Sequence, residues 1–424
     1  QRFPFVPLKQ ALGEVQQLLH QEGDEWLEPT RSLRRRTHQP EPAYGFKPNV
    51  CVILMESWTA QHTGALGSPR RLTPHFDSLA SHGILFANFY ASGIRTNYGL
   101  GAVLCSFPSL PGRAVMKRYQ AQHPFRSLSE ILKDRGYVNA FAYGGDFAFD
   151  NMEGFFTQKE YDHFFGEAYF GVENGFSKWG VPDHVVFEKA ASLIDSLPRP
   201  FQITILTLSN HEPFDLPDSS LRRYQDASET SRLFNCQLYA DHAVGQFMRN
   251  MQALPVFDST IFVFTADHAR IGSGRYRGDA RDFHVPLLIY APALIGSEGR
   301  WIETFGSQVD IIPTLMGLLG GEYIHESWGR DLLRAPRSDP GFAPMNAYDR
   351  IASIDREYLY LETVGHEAFL YGNTASGDRI HDFQNERPED FAFRRQRLRT
   401  YIQAAEQLST PLPDDRNDQA LVHR

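Results

Sequence analysis

Cysteine is scarce in this chain: 424 residues contain three, Cys51, Cys105 and Cys236. That number is too small for a disulfide scaffold, and its oddness leaves at least one thiol without an intrachain partner. Cys51 lies in a strand-like run and Cys105 among apolar residues, so both read as packed thiols, and cysteine usage assigns no compartment. Long apolar runs are missing too. None reaches the roughly 18 residues that a membrane-spanning helix needs. The chain opens QRFPFVPLKQ, with neither an initiator Met nor the basic-then-apolar start of a signal peptide. Such a start suits a trimmed portion of a larger protein. Basic charge is also in deficit. A net charge of −9 argues against a nucleic-acid binder, which carries a basic stripe. The local exception is TRSLRRRTH, with Arg31 to Arg36. It reads as a solvated surface helix, with contact to an anionic membrane surface as the alternative. There is no internal repeat and no low-complexity tract.

What is present is ordinary globular material: 42% apolar and 22% charged residues, in a chain long enough for a large core. Residues 1–47 read as an N-terminal helical and linker segment, with ALGEVQQLLHQ at helical spacing followed by a polar, Pro-marked connector. From residue 48 to 335 strand-like and helix-like runs alternate. NVCVILM, VNAFAY, PFQITILTL, STIFVFTA and HVPLLIYAP read as strands. TPHFDSLASHGILF, PFRSLSEILKDRGY, DHVVFEKAASLIDSL, SETSRLFNCQLYADHAVGQFMRNM and VDIIPTLMGLLG read as helices, the third with an Asp cap. This alternation predicts an α/β fold, with a mostly parallel central sheet sandwiched by helices. Residues 336–424 read as a smaller C-terminal α+β segment: a hairpin (DREYLYLET and HEAFLYGN), a charge-rich helix and a frayed tail.

In an open parallel sheet, ligands bind beyond the carboxyl ends of the strands. Four of the predicted strands end in residues that can hold a metal or a phosphate. They lead to Glu56, to Gly144-Gly145-Asp146, to Ser209-Asn210-His211 and to Asp267-His268. Any one of these alone reads as a cap or a loop hydrogen bond; four at equivalent ends point to convergence. Glu56, Asp267 and His268 together offer oxygen and nitrogen ligands, which suit Zn²⁺ or Mn²⁺ better than Ca²⁺. Thr96 reads either as a simple helix N-cap or as a nucleophile that a metal or base must activate. The run NYGLGAVLCSF after it can begin a helix, whose first N–H groups would face a phosphate.

At these motifs the chain resembles the lipoteichoic acid synthase-like branch of the alkaline phosphatase and sulfatase superfamily, which includes phosphoglycerol transferases acting on periplasmic glucans. The resemblance runs over about residues 45–335. It rests on NVCVILMESW, TPHFDSLASHGILFANFYASGIRTNYGLGAVLCSFPSLPG, YGGDFAFDNMEGFF, LSNHEPFDLP, FTADHARIG and FGSQVDIIPTLMGLLGG in order. It implies that Glu56, Thr96, Asp267 and His268 hold one divalent metal, Mn²⁺ first, with Mg²⁺ and Zn²⁺ as alternatives. It further implies that Thr96 is the nucleophile and that His211 lies close to the substrate phosphate or leaving group. Asp146, Phe149 and Asn151 fall where the family binds substrate, and His284 where relatives place a metal-proximal histidine. One departure stands out: Met152 occupies a position where the Gram-positive synthases carry an arginine, a bidentate phosphate clamp. The sequence here is closer to the Gram-negative members.

The activity implied is transfer of glycerophosphate from phosphatidylglycerol to a glycan or polyol acceptor, through a covalent phospho-threonine. The resemblance also implies a periplasmic or extracellular domain, tethered to the inner membrane by N-terminal helices absent from this sequence. Three rivals remain. SLPGR, Ser109 to Arg113, matches a sulfatase-type Ser-x-Pro-x-Arg pattern. Phosphoethanolamine transfer uses a similar Glu, Thr, Asp and His set, in proteins richer in cysteine. A catalytically reduced lipid- or glycan-sensing domain is the third.

Overall fold

A computed structural model describes residues 6–42, 44–118, 125–171, 178–270, 279–363, 365, 367–373 and 381–409. With strands numbered along the chain, one eight-stranded sheet dominates. Its spatial order is β11 (Arg300–Ile302), β4 (Ile84–Phe86), β10 (Leu287–Tyr290), β9 (Thr260–Ala266), β3 (Asn49–Met55), β8 (Phe201–Leu206), β6 (Val138–Tyr143) and β7 (His163–Phe165). Strand β10 runs against both its neighbours, and the others share one direction. Every residue of β3, β8 and β9 is buried. Successive side chains on a strand point to opposite faces, so both faces of the sheet are covered. That explains why these strands are continuous apolar runs rather than alternating ones.

The helices, in chain order, are α1 (Leu8–Leu19), α2 (Pro74–Ala80), α3 (Thr96–Cys105), α4 (Leu128–Asp134), α5 (Met152–Thr157), α6 (Glu167–Phe170), α7 (Asp183–Ser196), α8 (Glu229–Gln252), α9 (Pro292–Ile295), α10 (Ile311–Leu319) and α11 (Pro388–Leu408). Helix α7 packs on α8, and α8 on α2. The expected mostly parallel α/β architecture is present, but the helix expected over TPHFDSLASHGILF ends at Ala80, and its ILF is strand β4, held by pairing with β10 and β11. Cys51, Cys105 and Cys236 are buried free thiols.

The N-terminal segment holds more than a helix and a linker. Strand β2 (Arg35–Gln39) pairs with β1 (Asp24–Trp26) and with β13 (Gly321–His325), and α1 packs against α11. The surface-helix reading of the arginine cluster is therefore corrected. Arg35 is 1% exposed, and its guanidinium donates to the carbonyls of Leu33 (3.3 Å), Ser327 (3.0 Å) and Gly329 (3.3 Å). Its Nε lies 3.4 Å from the Asp24 carboxylate. Arg36 pairs with Glu25 and Glu322, and Arg34 with Glu326. Strand alternation turns one arginine inward, and carboxylates match the charges of all three.

At the other end, β14 (Ala343–Ala347), β15 (Arg350–Ile354), β16 (Tyr358–Thr363) and β17 (Ala368–Gly372) form an antiparallel sheet. The expected hairpin is its β16–β17 half. Helix α11 lies against β15 and β16, fastened by Arg394 to Asp355 and by Arg399 to Glu362. A two-residue strand pair, β5 (Phe89–Tyr90) with β12 (Gly306–Ser307), completes the strands of the described residues. The tail read as frayed lies outside them.

Arg35→Ala leaves the Asp24 carboxylate buried without its cation. Removing one partner of a buried pair costs about 3–5 kcal/mol. Urea unfolding should show a loss of that order, and a parental midpoint would contradict the role given to Arg35.

Candidate active site

Strands β9, β3, β8 and β6 are consecutive in the sheet, so the four strand ends picked out in the sequence are spatial neighbours. Met55 lies opposite Ala266, and Leu54 opposite Leu206. Glu56 and Asp267 therefore leave adjacent strands at one level. With His268 they form a group whose ligand atoms all lie within 4.8 Å of one another, the one such group of three found among the described residues.

The surrounding hydrogen bonds fix this group. The Glu56 N–H donates to Thr207 Oγ1 (2.9 Å), and Ser57 Oγ donates to Glu56 Oε1 (2.7 Å). The N–H groups of Ser57 and His268 both donate to Asp267 Oδ1, at 2.9 and 2.7 Å. Ser57 adopts a left-handed φ of 50°, uncommon for a residue with a side chain. His268 Nδ1 lies 3.0 Å from the Ala269 carbonyl. A carbonyl only accepts, so Nδ1 carries a proton, and Nε2 is the nitrogen that can offer a lone pair to a cation. That Nε2 is 3.5 Å from Asp267 Oδ2 and 3.8 Å from Glu56 Oε1.

Two carboxylates buried this close are costly. Even at 4.8 Å, the widest spread of the group, and an effective dielectric of about 20, two full charges repel by roughly 3–4 kcal/mol. Burial first, and then the Asp267 carboxylate, push the Glu56 carboxyl well above the usual range. Asp267 Oδ2 is buried and has no hydrogen-bond partner. An orphaned oxygen, a second carboxylate and an imidazole lone pair together fit a divalent cation.

Thr96 is the first residue of α3, and the cap position belongs to Arg95 in extended conformation, so the simple N-cap reading is corrected. Thr96 is partly exposed. One turn on, a Cβ built on Gly99 would lie 1.9 Å from the Asp267 carbonyl oxygen. The first turn of α3 thus rests directly on the main chain of a metal-capable residue, and only glycine permits that approach. The opening N–H groups of a helix lack intrahelical acceptors and suit a phosphoryl oxygen.

His211 is placed by residues read differently in the sequence. Asp183 does not cap its own helix; the cap position is Pro182. Its buried carboxylate accepts from the N–H groups of Leu208 (2.8 Å) and Ser209 (3.1 Å), fixing the loop that carries His211. Burial pushes the Asp183 carboxyl up to about 6. Asn210 Nδ2 donates to the Glu56 carbonyl (3.2 Å). His211 Nδ1 lies 2.9 Å from the Glu212 carbonyl, and its ring packs 4.1 Å from that of Trp179.

Asp146, Phe149 and Trp179 line an open cleft of about 430 Å³ with Tyr143, Glu167 and Lys178. Phe149 is 44% exposed and meets Trp179 edge-on. Asp146 Oδ1 also accepts from the Ala148 N–H (2.8 Å). Asn151 and His284 are engaged elsewhere. Asn151 Nδ2 donates to the Met116 carbonyl (2.8 Å). His284 Nε2 donates to the Ala87 carbonyl (2.8 Å), and its ring stacks on Tyr90, outside the Glu56–Asp267–His268 group. Met152 is fully buried, so its side chain faces the core and not the cleft. Ser109, of the Ser-x-Pro-x-Arg pattern, is 5% exposed and accepts from Asn346 Nδ2. Sequence reasoning missed Thr207 and Gln308 as supports, because nothing local marks a buried polar side chain as one.

The Sulfatase family model matches residues 48–321, and the chain belongs to that family. It is 25% identical over 334 residues to the lipoteichoic acid synthase-like protein YvgJ of Bacillus subtilis (strain 168), covering 74% of this chain and 53% of that protein. It is 27% identical over 366 residues to phosphoglycerol transferase I of Xanthomonas campestris pv. campestris (strain B100), covering 82% and 52%. The chain thus spans about half the length of these curated relatives. Its fold is similar to the crystal structure of a protein in the alkaline phosphatase superfamily from Vibrio parahaemolyticus, with a TM-score of 0.84 and 27% identity over 96% of each chain. The family resemblance and the fold class read from the sequence both stand.

A cation entering this site competes with the proton that burial and the Asp267 carboxylate favour on Glu56. Apparent Mn²⁺ affinity should therefore rise with pH, and Glu56→Gln should flatten that rise and weaken binding about tenfold or more. Calorimetric titration between about pH 5 and 8 checks both; a pH-independent affinity in the parent would contradict them. The stability sign follows from the same proton. The unfolded chain releases it at lower pH, so the metal-free fold weakens as pH rises above the ordinary glutamate range. Gly99→Ala should lower both thermal stability and Mn²⁺ affinity, because the added methyl displaces Asp267.

Proposed function

We propose that this chain is the catalytic portion of a metal-dependent phosphoglycerol transferase. It would move glycerophosphate from phosphatidylglycerol to a glycan or polyol acceptor. The observation that carries the reading is the buried Glu56–Asp267–His268 group with the Thr96 helix packed on Asp267. The names of the relatives, lipoteichoic acid synthase-like and phosphoglycerol transferase I, support the substrate class.

Glu56, Asp267, His268 and Thr96 Oγ would hold one divalent cation, Mn²⁺ in this reading. Such an ion lowers the pKa of a hydroxyl and offsets phosphoryl charge. Thr96 Oγ, its proton released to solvent before the first turnover, bonds to the phosphorus of phosphatidylglycerol, and the bond from phosphorus to the diacylglycerol oxygen breaks. His211 Nε2 gives that oxygen a proton; its Nδ1 is occupied at the Glu212 carbonyl. The acceptor hydroxyl then loses its proton to His211 and attacks phosphorus, which frees Thr96 and resets the histidine. The N–H groups opening α3 hold the phosphoryl oxygens, and Asp146 and Phe149 shape the cleft beside them.

The same reading takes residues 1–47 as the membrane-proximal segment, 48–335 as the catalytic domain and 336–424 as the C-terminal subdomain. It puts the domain outside the cytoplasmic membrane. No described helix is long and apolar enough to cross a bilayer. A sulfatase is less well supported, since Ser109 is buried against Asn346 while Thr96 heads the helix.

Incubation with Mn²⁺ and phosphatidylglycerol should add the mass of glycerophosphate to the intact protein. Thr96→Ala should fold normally, take up no adduct and lose about three orders of magnitude or more in turnover. Near-parental turnover in that variant would sink the assignment.

A further inference from the structure

We infer that Gln308 is the positioning residue that locks the Asp267 ligand to the loop leading into Thr96. The inference rests on the metal-centre reading above. Gln308 is fully buried, and its amide makes three hydrogen bonds. Nε2 donates to the carbonyls of Ala266 and Asp267, both at 2.8 Å. Oε1 accepts from the Ser92 N–H at 2.9 Å. The two donors thus reach the end of the strand that supplies Asp267. The acceptor reaches the loop four residues before Thr96. No hydroxyl, carboxylate or ammonium supplies two donors and an acceptor in this planar form.

The base of this bridge is itself rigid. Gln308 opens a single helical turn, in which the Ser307 N–H donates to Asp310 Oδ2 (2.7 Å) and the Arg330 N–H to Asp310 Oδ1 (2.7 Å). Ser92 is gripped from the other side too, because its carbonyl accepts from the Asn346 N–H (2.9 Å). The Asp267 carbonyl is where the pieces meet: Gln308 donates to it, and Gly99 of α3 packs on it. A shift of Gln308 therefore moves a metal ligand and the nucleophile's loop relative to each other.

Gln308→Met keeps the length of the side chain and removes all three hydrogen bonds. In the full chain, calorimetric titration of metal-free protein should show Mn²⁺ binding weakened about tenfold, with kcat for phosphatidylglycerol down by about tenfold or more and KM within about twofold. Asn139→Leu is the comparator, a buried amide that donates to the Ser129 and Glu160 carbonyls away from the site. It should lose stability and keep parental Mn²⁺ affinity. Parental Mn²⁺ affinity in Gln308→Met, or equal weakening in Asn139→Leu, overturns the inference. Should Gln308→Met fail to fold, Gln308→Asn, one methylene too short to span the gap, must show the same weakening, and parental affinity there overturns it equally. Loss of Mn²⁺ affinity in a protein whose parent transfers no glycerophosphate would overturn the proposed function and leave the positioning role standing.

Discussion

Two carboxylates buried side by side at the ends of adjacent strands set the terms for the rest of this molecule. Glu56 is 4% exposed and Asp267 fully buried. Desolvating such groups costs several kcal/mol each, and their mutual repulsion adds to that. A fold keeps an arrangement of this kind only if the surrounding core is large and the local geometry is over-determined. Both conditions hold. The central strands are buried throughout, and one oxygen of each carboxylate is tied by neighbouring donors. The oxygen left over, Asp267 Oδ2, faces the Glu56 carboxyl and His268 Nε2, and is the part of the site free to take a cation.

Support for this pair spreads outward in contacts that cross long stretches of sequence. Thr207 and Asn210, on the segment after β8, hold the main chain of Glu56. Asp183, at the start of α7, holds that segment in turn. On the opposite flank Asn346 of β14 donates to Ser109 Oγ and to the Leu110 carbonyl, while its own N–H bonds Ser92. The C-terminal sheet is thereby fastened to the segments on both sides of α3. Its contribution is mechanical: it restrains both approaches to the helix that begins at Thr96.

The parts of this structure that were legible in the sequence share one cause. A strand buried on both faces must be a continuous apolar run, so NVCVILM, ITIL and IFVFTA are recognisable, and the polar residues that end them stand out for the same reason. RRTHQ has no such signature. It is a strand because partners on both sides pair with it, and because carbonyls nearly three hundred residues away receive Arg35. The reversed direction of β10 is equally silent, since apolar content does not encode polarity of pairing. Asp183 looked like a cap because its position beside a helix start is visible, whereas the loop it reaches is not. Asn151 and His284 were marked by their place in family motifs, yet their side chains are bonded to the Met116 and Ala87 carbonyls. Position in a motif fixes where a Cα lies more firmly than where a side chain points.

The metal-capable centre and the cleft beside it stand on different mechanical ground. The centre grows from strand ends in register, where a displaced ligand would disturb the whole sheet. The cleft is bounded by a turn in which Asp150 and Asn151 both adopt left-handed φ, and by Trp179 packed on His211. Turns and loops change with little effect on a core, so the cleft can vary in shape while the strand-end group stays fixed. Met152 fits this division. Its side chain is part of the core under the turn, so the arginine of the Gram-positive synthases could not simply be restored by one substitution: a guanidinium there would be buried without a partner unless the turn itself were rebuilt. The shape of that turn, more than the identity of residue 152, therefore sets the contour of this side of the cleft.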